Sequence, residues 1–314
     1  MSNSQLAFVF PGQGSQSKGM LAEMAAEYSQ VLTTFEQASE VLGYDLWDLC
    51  QNGEDGAIDM TEVTQPLLLT ASYSLWQVWQ SISSTKPSLL AGHSLGEWSA
   101  LVASGVVAFT DAVKLVRARG QYMQECVPAG VGSMAAIIGL DDTKIEECCA
   151  ESGQNEVVSA VNYNAPGQVV IAGHKNAVDR AIEACKAAGA KKAMPLAVSA
   201  PFHTSLMQPA AEKLSEMIEA TAFTAPQIPI VHNVHAATES DPSAIKQLMI
   251  QQIYQPVLWV KCVQALANQG IEQAVECGPG KVLGGMIKRI DRSITSHTTD
   301  SVAAMSQTQA AIDA

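Results

Sequence analysis

One stretch of the chain, residues 89–105, constrains the fold more than any other. It reads LLAGHSLGEWSALVASG, in which a short apolar run ends in GHSLG at residues 92–96 and a helix-compatible segment follows. The G-x-S-x-G spacing is typical of a nucleophile elbow, a sharp turn from strand to helix with a serine at its tip. Both flanks must be glycine, because a Cβ there would collide with the neighbouring strand and helix. The stretch therefore predicts an α/β fold in which Ser94 is a nucleophile.

Two backbone segments are expected to donate hydrogen bonds beside Ser94. The amide of Leu95 belongs to the first turn of the helix, where N–H groups have no partner within the helix. A second glycine-containing loop, residues 11–16, follows the apolar strand-like run at residues 6–10. A nucleotide-binding loop is excluded, because no G-K-[ST] follows and Ser17 takes the place of the third glycine of G-x-G-x-x-G. We expect Gln13 in this loop to supply the second donor of an oxyanion hole.

Composition excludes several classes of function. The chain has 314 residues, of which 47% are hydrophobic, and a net charge of −13, so we expect a globular protein without a nucleic-acid partner. Its apolar runs are short, and the N-terminus lacks the basic region of a signal peptide, so we expect a cytoplasmic protein that does not enter a membrane. The seven cysteines include no C-x-x-C pair and are expected to be reduced thiols.

No metal site is predicted. The sequence has no H-E-x-x-H motif, and only His232 and His235 are closely spaced. They follow a strand-like run, in which alternation would direct the two side chains to opposite faces.

A second unit is predicted within the first. Residues 129–198 have the order β-α-β-β-α-β, which is typical of a ferredoxin-like small subdomain. Its borders are marked by Pro-Ala-Gly at residues 128–130 and Ser-Ala-Pro at residues 199–201, so residues 1–128 and 199–314 form an α/β-hydrolase-like large subdomain with a parallel sheet. Asn162, at the end of the second strand of the insertion, either reaches the cleft or caps a turn.

Other local predictions concern the large subdomain. They are one helix over residues 20–40, a helix over residues 67–79 preceded by Gln65-Pro66, a strand over residues 227–234, and a loose tail over the last fifteen or so residues.

A histidine and an arginine are the remaining candidates for the site. His203 stands directly after the border of the insertion and is a candidate general base for Ser94. No acid stands out as a third member, so we expect a dyad in which the Nδ1–H of His203 binds a carbonyl. Arg117 and Arg119 project about 200° apart around a helix. One is expected to face solvent, and the other to pair either with an internal carboxylate or with an acidic substrate.

These residues together resemble the malonyl-CoA:acyl carrier protein transacylase family, over nearly the whole chain. The motifs that carry the resemblance are FVFPGQGSQ at residues 8–16, GHSLG at 92–96, Arg119-Gly120, NYNAPGQ at 162–168, His203, QIYQPV at 252–257 and ECGPGKVL at 276–283. The resemblance implies malonyl transfer between thiols, for fatty-acid synthesis, through an ester on Ser94 without a cofactor. It implies that His203 is the base, that Gln13 and Leu95 donate the oxyanion-hole amides, that Arg119 binds the malonyl carboxylate and that Gln252 orients His203. The predicted substrate-binding residues are Arg119, Asn162, Gln252, His93 and Phe202.

Phe202 departs from many fatty-acid members of the family, which have a small residue before the histidine. Phenylalanine at this place resembles malonyl-selecting acyltransferases of polyketide synthases, so a free-standing enzyme that serves such a synthase is an alternative. A serine hydrolase or thioesterase is a second alternative, and a carrier-binding module without activity is a third.

The expected partners are malonyl-CoA and acyl carrier protein, with the chain itself a monomer. Because carrier proteins are acidic, as is this chain, docking requires a local basic patch. The candidates are Lys191 with Lys192, or Lys281 with Lys288, Arg289 and Arg292.

Overall fold

The computed structural model describes residues 2–128, 130–198 and 200–314. The described strands are β1 (Ser2–Phe10), β2 (Lys86–Gly92), β3 (Gly132–Ile138), β4 (Val158–Ala165), β5 (Gln168–His174), β6 (Lys192–Pro195), β7 (Ile230–Val231), β8 (Gln273–Glu276) and β9 (Thr295–Thr298). The α-helices are α1 (Ala22–Glu27), α2 (Ser29–Leu42), α3 (Leu46–Asn52), α4 (Thr61–Ile82), α5 (Leu95–Ala103), α6 (Phe109–Glu125), α7 (Asp142–Gly153), α8 (Lys175–Ala187), α9 (Gln208–Ala220), α10 (Pro242–Gln251), α11 (Trp259–Asn268), α12 (Val282–Ile290) and α13 (Val302–Ile312). None of the helices in these ranges is long and apolar enough to cross a membrane.

The larger sheet consists of parallel strands in the order β7-β2-β1-β8-β9. Residues 6–10 of strand β1 are buried on both faces. On one face, Phe8 and Phe10 contact the edge of the Trp76 ring from α4, with Phe8 and Trp76 centroids 5.2 Å apart. On the other face, Ala7 and Val9 belong to a separate core that includes much of α11. This two-sided burial explains the continuous apolar run at residues 6–10.

The smaller sheet is antiparallel, with the strand order β4-β5-β3-β6. Helices α7 and α8 cover one face, where Ile145 and Ile182 are part of a core distinct from that of the larger sheet. This is the ferredoxin-like arrangement predicted from the β-α-β-β-α-β order. Ala129 and Ser199, at the predicted borders, lie outside the described residues, so the subdomain limits 1–128, 129–198 and 199–314 stay a prediction.

Backbone hydrogen bonds attach the smaller sheet to the segment of the large subdomain between α10 and α11. The amide of Tyr163 in β4 donates to the carbonyl of Val257 at 3.0 Å, and the amide of Val257 donates to the carbonyl of Val161 at 2.8 Å. Asn162 lies between these two bonds and is therefore held beside Val257.

Two helix predictions are wrong in their boundaries. The predicted helix over residues 20–40 is two helices, α1 and α2, because Tyr28 between them has an extended backbone (φ −123°, ψ 108°). Helix α4 begins at Thr61, so Pro66 lies inside it and not before it. The proline deprives the helix of one hydrogen bond near its N-terminus. Burial of most of α4 in the main core outweighs that loss.

Two further predictions, both for residues after 226, are wrong. The strand predicted over residues 227–234 is only β7, because it is followed by a turn in which the amide of Ala236 donates to the carbonyl of His232 at 2.9 Å. The expected loose tail contains α13, which buries Met305, Thr308 and Ile312 and is capped by Ser301. The i, i+3, i+7 spacing of these side chains is that of one helix face, obscured in the sequence by small polar neighbours.

Candidate active site

The elbow has the strained geometry that its sequence predicts. Ser94 stands between β2 and α5 with φ 50° and ψ −106°. A Cβ on Gly92 would lie 2.0 Å from the carbonyl carbon of Gly96, and a Cβ on Gly96 would lie 2.0 Å from the carbonyl oxygen of Phe10. Any larger residue at either position would therefore force β1, β2 and α5 apart.

Asn233, which follows β7, clamps the elbow from the far end of the sequence. The amide of Ser94 donates to Asn233 Oδ1 at 2.8 Å, and Asn233 Nδ2 donates to the carbonyl of Gly92 at 2.7 Å. Both contacts stabilise the nucleophile in a backbone conformation that a serine rarely adopts.

Ser94 and His203 form the predicted pair. The hydroxyl of Ser94 lies 2.7 Å from Nε2 of His203, and Nδ1 of the same ring lies 2.8 Å from the main-chain carbonyl of Gln252. Because a carbonyl only accepts, Nδ1 carries the proton and Nε2 has a free lone pair that faces the hydroxyl. Burial, and after it the charge of Arg119, lowers the pKa of His203 to about 3. The imidazole is therefore neutral at physiological pH, as a general base must be.

Arg119, on α6, is buried beside the nucleophile Ser94, with only 2% of its surface exposed. Nη1 donates to Gln65 Oε1 at 2.8 Å, and Nη2 donates to Gln252 Oε1 at 2.9 Å and to Ser94 Oγ at 3.3 Å. Burial lowers the pKa of Arg119 to about 10, which keeps the guanidinium charged at neutral pH. No ion pair joins Arg119 to a carboxylate in the part of the chain that the structure describes.

Arg117, by contrast, is exposed. Its Nη1 donates to the carbonyl of Leu42 at 3.1 Å, and its guanidinium lies 5.7 Å from the centroid of the Tyr44 ring. The two arginines are thus divided between solvent and site, as their spacing on the helix predicts. Since the contacts of Arg119 end on neutral oxygens, the alternative of an internal carboxylate partner is not what the structure contains.

A cavity of about 130 Å³ opens onto Ser94. It contains every predicted site residue except Gln252, which lies behind Arg119 and His203. Its lining residues are Gln13, Gln65, His93, Ser94, Leu95, Arg119, Met123, Met134, Asn162, Leu196, Val198, Phe202 and His203. Seven of these side chains are polar and six are apolar, so the cavity offers a small ligand both hydrogen-bonding groups and an apolar wall.

Three predicted binding residues have distinct places in this wall. Asn162 lines the cavity, and its buried Oδ1 has no hydrogen-bond partner among the described residues. His93 holds its Nε2 at 2.7 Å from Asn164 Oδ1, and burial lowers the pKa of the His93 ring. Phe202 is 8% exposed and precedes the base.

Sequence reasoning missed several side chains that support the site. Gln65 holds Arg119, Asn233 holds the elbow, and Glu97 accepts a hydrogen bond from Gln252 at 2.7 Å. The sequence contains one indication that Glu97 has a role, because it is the only charged residue in the otherwise largely apolar helix α5. The prediction that His232 and His235 point to opposite faces is wrong, because their rings are in edge contact with centroids 5.9 Å apart. Within the described ranges, no three His, Cys, Asp or Glu residues are grouped to hold a metal ion.

Known proteins resemble this chain over almost its full length. The family described as "Acyl transferase domain" matches residues 7–310. A protein of Salmonella typhimurium named malonyl CoA-acyl carrier protein transacylase is 56% identical over 303 residues, which cover 96% of this chain and 98% of the relative. The Escherichia coli K12 protein of the same name is 54% identical over 302 residues, with the same coverage.

Solved structures agree with the sequence relatives. The crystal structure of an acyl carrier protein S-malonyltransferase from Vibrio cholerae has a TM-score of 0.95 at 53% identity and covers 97% of this chain and 99% of its own. A malonyl-transacylase solved in complex with its type II PKS acyl-carrier protein has a TM-score of 0.97 at 50% identity, with coverage of 98% and 99%. This chain belongs to the malonyl CoA-acyl carrier protein transacylase family of acyl transferases.

Proposed function

We propose that this enzyme transfers a malonyl group from malonyl-CoA to the phosphopantetheine thiol of an acyl carrier protein. The observation that carries the proposal is the buried guanidinium of Arg119, which has no carboxylate partner among the described residues. It lies 3.3 Å from a hydroxyl that is hydrogen bonded to a neutral imidazole. A thioester with a free carboxylate at its far end fits both groups at once, since the carboxylate pairs with Arg119 while the carbonyl carbon meets Ser94.

The first half-reaction acylates the enzyme. Ser94 transfers its proton to Nε2 of His203 as Oγ attacks the thioester carbonyl. The amides of Leu95 and Gln13 stabilise the resulting oxyanion. As the tetrahedral adduct collapses, the C–S bond breaks, and CoA leaves as a thiol with the proton from His203. The malonyl ester then remains on Ser94 with its carboxylate on Arg119.

The second half-reaction repeats these steps in reverse order with another thiol. The carrier's phosphopantetheine thiol gives its proton to His203 and attacks the ester carbonyl. Ser94 regains its proton when the C–O bond breaks. No cofactor takes part in either half.

Two observations favour transfer over hydrolysis. The Nδ1 of His203 binds a main-chain carbonyl and not the carboxylate that completes most hydrolase triads. His203 is also only 4% exposed, so the base is shielded from bulk water.

Incubation with malonyl-CoA alone tests the proposal. We expect one equivalent of CoA to be released and the peptide that contains Ser94 to gain the mass of a malonyl group, which is lost again when phosphopantetheinylated carrier protein is added. Steady CoA release without an acceptor would indicate a hydrolase. The Ser94→Ala variant should form no adduct.

The names of the relatives give the acceptor as acyl carrier protein, and we propose fatty-acid synthesis as the role. The relative solved with a type II PKS acyl-carrier protein keeps a polyketide carrier as the second candidate. Transfer rates to both carriers, measured side by side, decide between them. We also propose that the enzyme acts in the cytoplasm and that it is a monomer. Light scattering of the purified protein tests the oligomeric state.

A further inference from the structure

A buried carboxylate lies directly behind the nucleophile and has no part in the steps above. Glu97 stands in the first turn of α5, and its side chain is 1% exposed. Its Oε1 lies 2.7 Å from His232 Nδ1, and its Oε2 accepts from the amide of Asn233 at 3.2 Å and from Gln252 Nε2 at 2.7 Å. A buried carboxylate persists only where hydrogen bonds replace its hydration. Here one of those bonds leads to the substrate site.

Glu97 determines which way the amide of Gln252 points. Nε2 of Gln252 donates to Glu97 and to the carbonyl of Ser94 at 2.8 Å, so Oε1 faces the opposite way and accepts from Arg119 Nη2 at 2.9 Å. If the amide were turned over, Nε2 would face the guanidinium and Oε1 would face the carboxylate. Both contacts would be repulsive. The same glutamine holds His203 through its main-chain carbonyl.

Glu97 also supplies a negative charge for Arg119 without touching it. The hydrogen bonds of Arg119 end on neutral oxygens. Burial lowers the pKa of Arg119, and the negative charge of Glu97 raises it. One amide group separates the two charges. The guanidinium is therefore balanced and still free to pair with a carboxylate that enters the cavity.

We infer that Glu97 is a positioning residue that sets the preference of the site for acyl groups with a free carboxylate. It fixes the amide of Gln252 and, through that amide, the guanidinium of Arg119. The inference rests on the proposed malonyl transfer and identifies the residue that keeps Arg119 ready for malonyl. Glu97 touches neither the acyl group nor the nucleophilic oxygen.

The isosteric variant Glu97→Gln tests this role. Its side chain cannot accept on both sides, so either Nδ1 of His232 loses its acceptor, or the amide of Asn233 and Nε2 of Gln252 both do. If the new Nε2 faces Gln252, that amide must turn over and set its own Nε2 against Arg119. If it faces His232, the proton of that imidazole must move from Nδ1 to Nε2. The resulting N–H is buried, and Nε2 has no partner among the described residues. We expect the first outcome to displace Arg119.

The measurement is the rate of acyl-Ser94 formation from malonyl-CoA and from acetyl-CoA, followed by mass spectrometry of the intact protein. In Glu97→Gln, the malonyl-to-acetyl ratio of kcat/KM should fall by about tenfold, the effect expected for one hydrogen bond to a charged group. The matched control is Ser99→Ala on the same helix. Ser99 is equally buried and outside this network, so the ratio should stay at its wild-type value.

A second variant moves the carboxylate and keeps the total charge. In Glu97→Gln combined with Gln252→Glu, the new carboxylate lies against Arg119, where it competes with the substrate. The inference predicts that the malonyl-to-acetyl ratio stays low. Recovery of the wild-type ratio would mean that only the number of charges matters, and the positioning role would be rejected.

The results also separate this inference from the proposed function. If wild-type enzyme forms no malonyl ester, the proposed function fails. If wild type prefers malonyl and folded Glu97→Gln keeps the same ratio, only the role of Glu97 fails. A parallel loss with both acyl groups would likewise reject a role in selectivity. If Glu97→Gln does not fold, the double variant takes its place. The reaction of its Ser94 with a fluorophosphonate, which has no acyl carboxylate, shows whether the nucleophile is intact. The malonyl-to-acetyl ratio of this variant then decides the role of Glu97.

Discussion

Arg119 is the residue on which substrate choice depends most directly. Replacing it with alanine removes the partner of the malonyl carboxylate, so kcat/KM for malonyl-CoA should fall by about 100-fold or more, while kcat/KM for acetyl-CoA falls far less. Selectivity should therefore shift towards acetyl. The matched control is Arg117→Ala, two residues away on the same helix but exposed, which should change neither rate. An unaltered preference for malonyl in Arg119→Ala would show that the carboxylate binds elsewhere.

His203 makes a prediction about pH. Burial and Arg119 lower its pKa to about 3 from an ordinary value of 6.5. Since kcat/KM reports ionisations of the free enzyme, kcat/KM for malonyl-CoA should show no inflection near pH 6.5. The unfolded chain binds a proton at this residue below pH 6.5, whereas the folded chain does not. The contribution of His203 to stability is therefore full above pH 6.5 and is lost as the pH falls towards 3.

The check is a pH profile of acyl-enzyme formation between pH 5 and 8, with circular dichroism at each pH to establish that the enzyme is folded. A half-maximal rate near pH 6.5 in folded enzyme would contradict a depressed pKa. It would also mean that solvent reaches the imidazole.

Residues in short motifs could be predicted from the sequence, and residues that act through long-range contacts could not. Ser94 and Leu95 follow from the local spacing of the elbow. Gln65, however, meets Arg119 across 54 residues, and Asn233 meets Ser94 across 139. Each is an uncharged amide that could equally lie on a surface. Only the fold brings them together, so a single sequence gives no sign of their roles.

At the level of elements, the two glycines of the elbow allow strand and helix to approach more closely than any side chain would permit. Gly92→Ala should destabilise the protein by about 2 kcal/mol or more, because its Cβ would lie 2.0 Å from the carbonyl carbon of Gly96. It should also slow acylation of Ser94. The measurements are the urea midpoint of unfolding and the rate of acyl-enzyme formation.

Gly285→Ala is the matched control for this prediction. Gly285 lies in α12, and its added Cβ would meet nothing within 4 Å. Alanine has the higher helix propensity, so this variant should be neutral or more stable by up to about 1 kcal/mol. Equal midpoints for Gly92→Ala and wild type would show that the elbow has room to relax.

Elements with a strong period or a continuous apolar run were predictable, and elements stabilised by their surroundings were not. The order of strands and helices between β3 and β6 could be predicted from alternation and turn residues. Pro66 predicts a helix boundary, but burial of α4 in the main core maintains the helix through it. Helix α13 has few large apolar residues, and its order depends on packing of Met305 and Ile312 into that same core.

At the level of the whole molecule, the site lies where the two sheets meet. Met134 and Asn162 come from the smaller sheet, whereas Ser94 and Arg119 come from the elements around the larger one. The acyl group is thus enclosed by both sheets. A carrier protein must therefore present its phosphopantetheine at the junction between them.

We propose the basic end of α12 as the surface that docks such a partner. Arg289 Nη1 donates to Gln168 Oε1 at the start of β5, and Gly280, just before the helix, approaches Ser15 in the loop that contains Gln13. Lys288 and Arg289 are exposed on this helix. In a chain of net charge −13, they offer an acidic carrier a local attraction against the general repulsion.

Reversing one charge there should weaken docking without touching the chemistry. In Lys288→Glu, we expect KM for carrier protein to rise by roughly tenfold at low ionic strength, and KM for malonyl-CoA to stay unchanged. The matched control is Lys144→Glu on α7, an exposed lysine whose reversal changes the net charge equally. Because only the local field differs between the two variants, equal effects on carrier KM would locate docking away from α12, and equal effects on both substrates would exclude a docking role for Lys288.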